Sequence, residues 1–168
     1  MKTLYVLRHA KSDWGDESIC DFDRPLNHRG RKAAKAVGHE LRDRGIRPDL
    51  IIASPAVRAK ETVERVVDGF GEGLRVTEDP RIYEGGTAAL LEIVRAASDD
   101  ADHVMIVGHN PGFQNLVVAL TEPCALREEA EQKFPTAALA EIRFDVDRWS
   151  ELAPGTGQLE DLIKPRDL

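Results

Sequence analysis

A chain of 168 residues is the length of one domain and buries roughly 70% of its unfolded surface, enough for a core that needs neither metal nor disulfide staples. Its 23 Lys and Arg against 30 Asp and Glu give a formal net charge of −7. That balance argues against a general binder of nucleic acid or anionic membrane, so any anion site has to be a local concentration of positive charge.

Cys20 and Cys124 stand far apart in no metal-ligand spacing, the N-terminus shows no basic-then-apolar leader, and no apolar run approaches membrane length. A cytoplasmic protein is expected. Thr3-Leu4-Tyr5-Val6-Leu7 runs without helical period into Arg8-His9-Ala10, the pattern of a buried parallel strand that ends at a site. Residues 13–24, acidic and interrupted by Gly15, read as a loop over that strand end, and Trp14 either contacts substrate or packs the loop down. Pro25 keeps Arg24 extended, Asn27 caps a helix with Ala33, Val37 and Leu41 on its apolar side, and Gly45 closes it.

Asp49 to Ala53 predicts a second short buried strand. Ser54 and Pro55 follow as an N-cap and first helical residue, with Arg58 in the first turn and Ala59, Val63, Val66 and Phe70 as the buried stripe. An edge strand is expected over 74–77, an irregular stretch over 79–86 holding Tyr83 and Glu84, and a helix over 87–97 burying Leu90, Leu91 and Val94. His103 to Val107 is the clearest strand of all and ends in Gly108-His109-Asn110-Pro111-Gly112. Here Asn110 is expected to cap, and Pro111 to open, a helix facing inward with Phe113, Leu116, Val117 and Leu120. Residues 122–133 read as a loop or short exposed helix, and Ala140, Ile142 and Phe144 share one face of a last clear strand. Residues 159–163 are expected at most to pack back.

Three strand-to-helix junctions thus carry Arg8-His9, Ser54 with Arg58 one turn on, and Gly108-His109. Neighbouring strands lie about 4.8 Å apart, so adjacent parallel strands would bring two arginines and two histidines into one crevice beyond their carboxyl ends. Arginine grips phosphate oxygens bidentately, helix N-termini add free N–H groups, and a histidine among arginines is held neutral and nucleophilic.

Leu7-Arg8-His9-Ala10 resembles the R-H-G motif of the histidine phosphatase superfamily, whose fold is shared with cofactor-dependent phosphoglycerate mutases; alanine after the histidine is the form met in SixA-type phosphohistidine phosphatases. Ser54-Pro55-Ala56-Val57-Arg58-Ala59-Lys60-Glu61-Thr62 resembles that superfamily's S-x-x-x-R-x-x-E-T segment, and Val107 to Gly112 its second histidine motif. Order and spacing agree over nearly the whole chain. The resemblance implies a three-layer α/β/α fold with a mainly parallel central sheet, residues 1–168 forming a single histidine phosphatase domain. It makes His9 the nucleophile that becomes phosphorylated, with Arg8, Arg58 and His109 on the phosphoryl oxygens. Arg24, in Arg24-Pro25-Leu26-Asn27, resembles the R-P-L-T element whose arginine lies by the phosphate; an arginine packing a loop is the alternative. Glu84 stands where mutase-like members carry a proton-donating glutamate, with a solvated loop glutamate as the alternative. Gly15 replaces an asparagine that contacts phosphate in many of those members.

No cofactor is expected, and His28, His39 and His103 show no metal-binding spacing. The expected activity is hydrolysis of phosphohistidine on a protein partner through a phosphorylated His9, with no nucleic acid or membrane involved. A small phosphomonoester or nucleotide-derived phosphate is the alternative substrate, and a non-catalytic phospho-ligand-binding module the alternative class. A nucleotide-binding fold lacks its G-x-G-x-x-G or P-loop.

Overall fold

The computed structural model describes residues 1–71 and 73–168. Six strands form one sheet: β1 (Lys2–Arg8), β2 (Leu50–Ala53), β3 (Val76–Glu78), β4 (His103–Gly108), β5 (Leu139–Phe144) and β6 (Gln158–Ile163), in the order β3-β2-β4-β1-β5-β6. The first four of that order pair in parallel and β5 and β6 pair antiparallel, so the sheet is mainly parallel, as expected.

Alternation along β1 explains the layers. Leu4 and Val6 point into a core shared with α3 (Thr87–Arg95), α4 (Gly112–Leu120) and α5 (Ala125–Gln132), including Leu90, Phe113, Leu116 and Ala130. Tyr5 and Leu7 point the other way, toward Val37 and Leu41 of α1 (His28–Asp43) and Val63 and Val66 of α2 (Val57–Phe70). Gly38 and Gly69 make the α1–α2 crossing close: a Cβ on Gly38 would strike the Val66 carbonyl, and one on Gly69 the Lys35 carbonyl. Among the described residues no helix is long and apolar enough to cross a membrane.

Register is what builds the site. Leu7 is opposite Val107 and Val107 is opposite Ala53, so β1, β4 and β2 end level with one another. Two further backbone bonds, His9 N–H to the Gly108 carbonyl and Ser54 N–H to the Val107 carbonyl, both 2.9 Å, carry the alignment past the last paired residues.

Several boundaries differ from expectation. Helix α2 begins at Val57 with Ala56 in the capping position, so Ser54 and Pro55 lie in the connection before it. Helix α4 begins at Gly112, and Asn110 closes its first turn by accepting the Gln114 N–H at 3.2 Å. In α1 it is Ala34, not Ala33, that is fully buried, and in α3 Ile93 is buried while Leu91 is only partly so. The edge strand starts two residues late, at Val76, and the segment expected to pack back is a full strand, β6, on the far edge.

Candidate active site

The level ends of β1, β4 and β2 open into a cavity of about 900 Å³ lined by Arg8, His9, Arg24, Arg58, Glu84 and His109. All six residues singled out from the sequence therefore share one space.

His9 is only 6% exposed. Its Nδ1 donates to the Ala10 carbonyl at 2.7 Å, which in the neutral ring leaves the lone pair on Nε2, and Nε2 faces the Arg58 Nε–H at 3.4 Å. Burial pushes the His9 pKa down to about 3; the Ala10 hydrogen bond opposes this, while His109, Arg58 and Arg8 push the same way. At physiological pH the ring is a neutral base with its free nitrogen toward the cations.

Three residues of the Arg58 segment set this geometry without entering the cavity. Thr62 Oγ1 accepts the Ala10 N–H at 3.0 Å and donates to the Arg58 carbonyl at 2.7 Å, and the Glu61 carboxylate accepts the Leu26 N–H at 2.8 Å. Helix α2 thus clamps both loops that frame the cavity. Ser54 is the third. Its Oγ accepts the Ala56 N–H at 3.2 Å and lies 2.7 Å from His109 Nε2. With the hydroxyl proton given to Nε2, the neutral His109 ring carries its own proton on Nδ1, a buried atom with no partner among the described residues. Burial first, then Arg58, brings the His109 pKa to about 4, although Asp21 pulls it upward. The His9 and His109 rings are 5.3 Å apart.

The arginines differ in what holds them. Arg8 donates to the Phe134 carbonyl at 3.1 Å and keeps a buried Nε without a partner among the described residues. Arg58 donates to the Asp21 carbonyl at 2.7 Å and to the Asp21 carboxylate at 3.1 Å. Arg24 is 7% exposed, donates to Ser12 Oγ and to the same carboxylate at 2.9 Å, and stacks against the exposed Trp14 ring at 3.5 Å. The Tyr83 hydroxyl donates to Asp21 Oδ2 at 2.6 Å. Asp21 is therefore an anion seated on two arginines and a phenol. Tyr83 above all, then Arg24, holds its carboxyl far below the usual carboxylate range.

The Ser-Pro context of Ser54 predicts a helix cap instead of a histidine partner, and the sequence reading gives no role to Asp21 or Tyr83. The i, i+3 spacing of Asp21 and Arg24 is the only local signal that points to the Asp21 cluster. Glu84 lines the cavity from an exposed position, with no hydrogen bond from its carboxylate among the described residues.

Residues 4–89 match the family model for the histidine phosphatase superfamily, branch 1. The chain belongs to that superfamily. Relatives match beyond that segment: an uncharacterised chloroplastic protein of Arabidopsis thaliana is 33% identical over 178 residues, covering 98% of this chain and 78% of its own length. An uncharacterised protein of Mycobacterium tuberculosis is 31% identical over 164 residues, covering 95% of this chain and all of its own. Among solved structures, the putative phosphohistidine phosphatase SixA from Agrobacterium tumefaciens superposes with a TM-score of 0.83 at 29% identity, over 98% of each chain. The phosphoglycerate-mutase-like architecture and the membership together make this chain a phosphatase of the histidine phosphatase class.

Proposed function

We propose that this protein hydrolyses phosphohistidine on a protein partner, without a metal, through a phosphorylated His9. The observation that carries the reading is the state of His9: neutral, tied at Nδ1 to the Ala10 carbonyl, with Nε2 directed at Arg58.

In the first step Nε2 attacks phosphorus in line, an Nε2–P bond forms, and the substrate P–N bond breaks. Phosphohistidine protonated at its distal nitrogen leaves as neutral imidazole, so no proton has to be delivered to the breaking bond. Arg8, Arg58 and the His109 Nδ1–H are directed to the equatorial oxygens, where preorganised donors stabilise developing charge. Arg24, and the Arg58 nitrogens that Asp21 also holds, are released to these oxygens once Asp21 gives way. In the second step water attacks phosphorus, the Nε2–P bond breaks and its electrons return to the ring, which is again neutral with its proton on Nδ1, and phosphate leaves with the water's oxygen and protons. Among the described residues no three His, Cys, Asp or Glu side chains cluster as a metal site would require. The similarity to a structure described as a putative phosphohistidine phosphatase supports the substrate class. Exposed free Cys20 and Cys124 support a reducing, cytoplasmic setting.

Glu84 on the cavity wall favours a second reading, hydrolysis of a small alkyl phosphate, whose basic alkoxide needs a donated proton worth about 10²–10⁴ in rate. One panel separates the two: a phosphohistidine peptide, a phosphoserine peptide and an aryl phosphate, each with wild type and Glu84→Gln. Fast phosphohistidine turnover that survives Glu84→Gln and EDTA is the expected result. Preference for phosphoserine, lost in Glu84→Gln, would replace it with the second reading.

A further inference from the structure

A second groove of about 390 Å³ runs on from the catalytic cavity, sharing Lys11, Lys133, Pro135 and Thr136 with it and continuing to Arg29, Lys164 and Arg166. Five cationic side chains thus line one groove of a protein whose net charge is −7. They come from four places in the fold: the exit of β1, the first turn of α1, the end of α5 and the turn after β6.

Local stability does not account for this concentration. The first turn of α1 has no acidic residue and carries His28, Arg29 and Arg31, where the positive end of the helix dipole disfavours cations. Lys11, Arg29 and Lys133 are exposed and form no ion pair with any described residue. Lys164 is buried and held by Glu129, and Arg166 has only Asp167, at 3.9 Å. After these two pairs the groove keeps three uncompensated positive charges beside the mouth of the site.

We propose that this groove docks an acidic polypeptide surface flanking the phosphorylated side chain. The inference rests on the phosphohistidine reading for the group being cleaved. Spread over several exposed, flexible side chains, the cations do not converge as a pocket for one small anion does, and they suit carboxylates distributed along a chain. Such complementarity raises encounter rates and selects partners.

The test uses three labelled, unphosphorylated peptides of equal length, rich in Asp/Glu, in Ser/Gly and in Lys/Arg, with binding read by fluorescence anisotropy. Their phosphohistidine and phosphoserine versions serve for turnover. The expected result is that the acidic peptide binds at least about tenfold more tightly than the neutral one at low salt, that the advantage shrinks at 0.5 M salt as charges are screened, and that Arg29→Glu/Arg166→Glu abolishes it. Both side chains are exposed and outside the catalytic cavity, so the double variant should hydrolyse p-nitrophenyl phosphate at the wild-type rate. Equal binding of the three peptides overturns the inference, as does an advantage that the double variant retains. Binding to phosphatidylserine vesicles without peptide discrimination would overturn it in favour of a membrane surface. Peptide discrimination without phosphohistidine turnover would leave the docking groove standing and remove the phosphohistidine reading instead.

Discussion

Ser54 Oγ lies 2.7 Å from His109 Nε2 and is the side-chain partner that orients the second histidine. Burial and the neighbouring Arg58 keep His109 neutral, and with the Ser54 hydroxyl donating to Nε2 the ring carries its own proton on Nδ1. Ser54→Ala removes the orienting group and leaves a buried ring nitrogen unpaired, at a cost of about 1–3 kcal/mol. The expected outcome is a fall in kcat of roughly tenfold or more, with KM nearly unchanged and recovery in Ser54→Thr. Wild-type kcat in Ser54→Ala would show that His109 needs no such partner.

Asp21 holds Arg24 and Arg58, and in the proposed mechanism it therefore competes with the substrate for them. Its side chain is about half exposed, and ion pairs of that kind are worth about 0.2–1 kcal/mol each, so the competition is modest. In Asp21→Asn, with both pairs lost, vanadate and phosphate should bind between about twofold and thirtyfold more tightly. Titration of vanadate against turnover checks this; weaker vanadate binding in the variant would mean that Asp21 organises the arginines instead of occupying them.

The two buried histidines carry a pH signature. Both pKa values are lowered in the folded protein, His9 to about 3 and His109 to about 4. Below about pH 6.5 the unfolded chain takes up protons that the folded chain refuses, so stability falls as pH drops from there toward 4, by up to about 1.4 kcal/mol per pH unit for each ring. Depression of the Asp21 carboxyl acts in the same direction, but only below about pH 4, where an unfolded aspartate protonates. Imidazole NMR should show His9 and His109 neutral at pH 5.5; a midpoint near 6.5 for either would contradict the burial argument.

Which parts of this site are legible in the sequence follows from how each residue is placed. Arg8, His9 and His109 sit at the ends of apolar strands, and Arg58 one helical turn after another, so strand pattern and motif spacing carry them. Ser54 is misread because Ser-Pro before an apolar-periodic run has the same signature whether the serine caps the helix or, as here, turns toward a neighbouring strand end. Asp21 meets Arg58 across 37 residues and Tyr83 across 62, through an irregular loop without periodicity. Strand β6 is hidden by its mixed face: Glu160 and Asp161 interrupt the apolar pattern, and a register shift falls opposite them between Glu141 and Ile142.

Arg58 provides a check on charge stabilisation. Removing one preorganised donor from a developing oxyanion typically costs about 10²–10³ in rate, and Arg58→Ala is expected to fall in that range, since the guanidinium lies against His9 Nε2. Steady-state kinetics on an aryl phosphate measures it. Unchanged kinetics would take Arg58 out of the site.

The phosphorylated intermediate on His9 is the claim on which the rest depends, and rapid mixing with labelled phosphohistidine peptide, quenched in alkali to preserve the P–N bond, tests it most directly. Peptide mapping by mass spectrometry is expected to find the label on His9, at Nε2, in wild type and to find none in a folded His9→Ala variant, which should also lack turnover. Label on any other residue, or turnover retained by His9→Ala, would contradict the account.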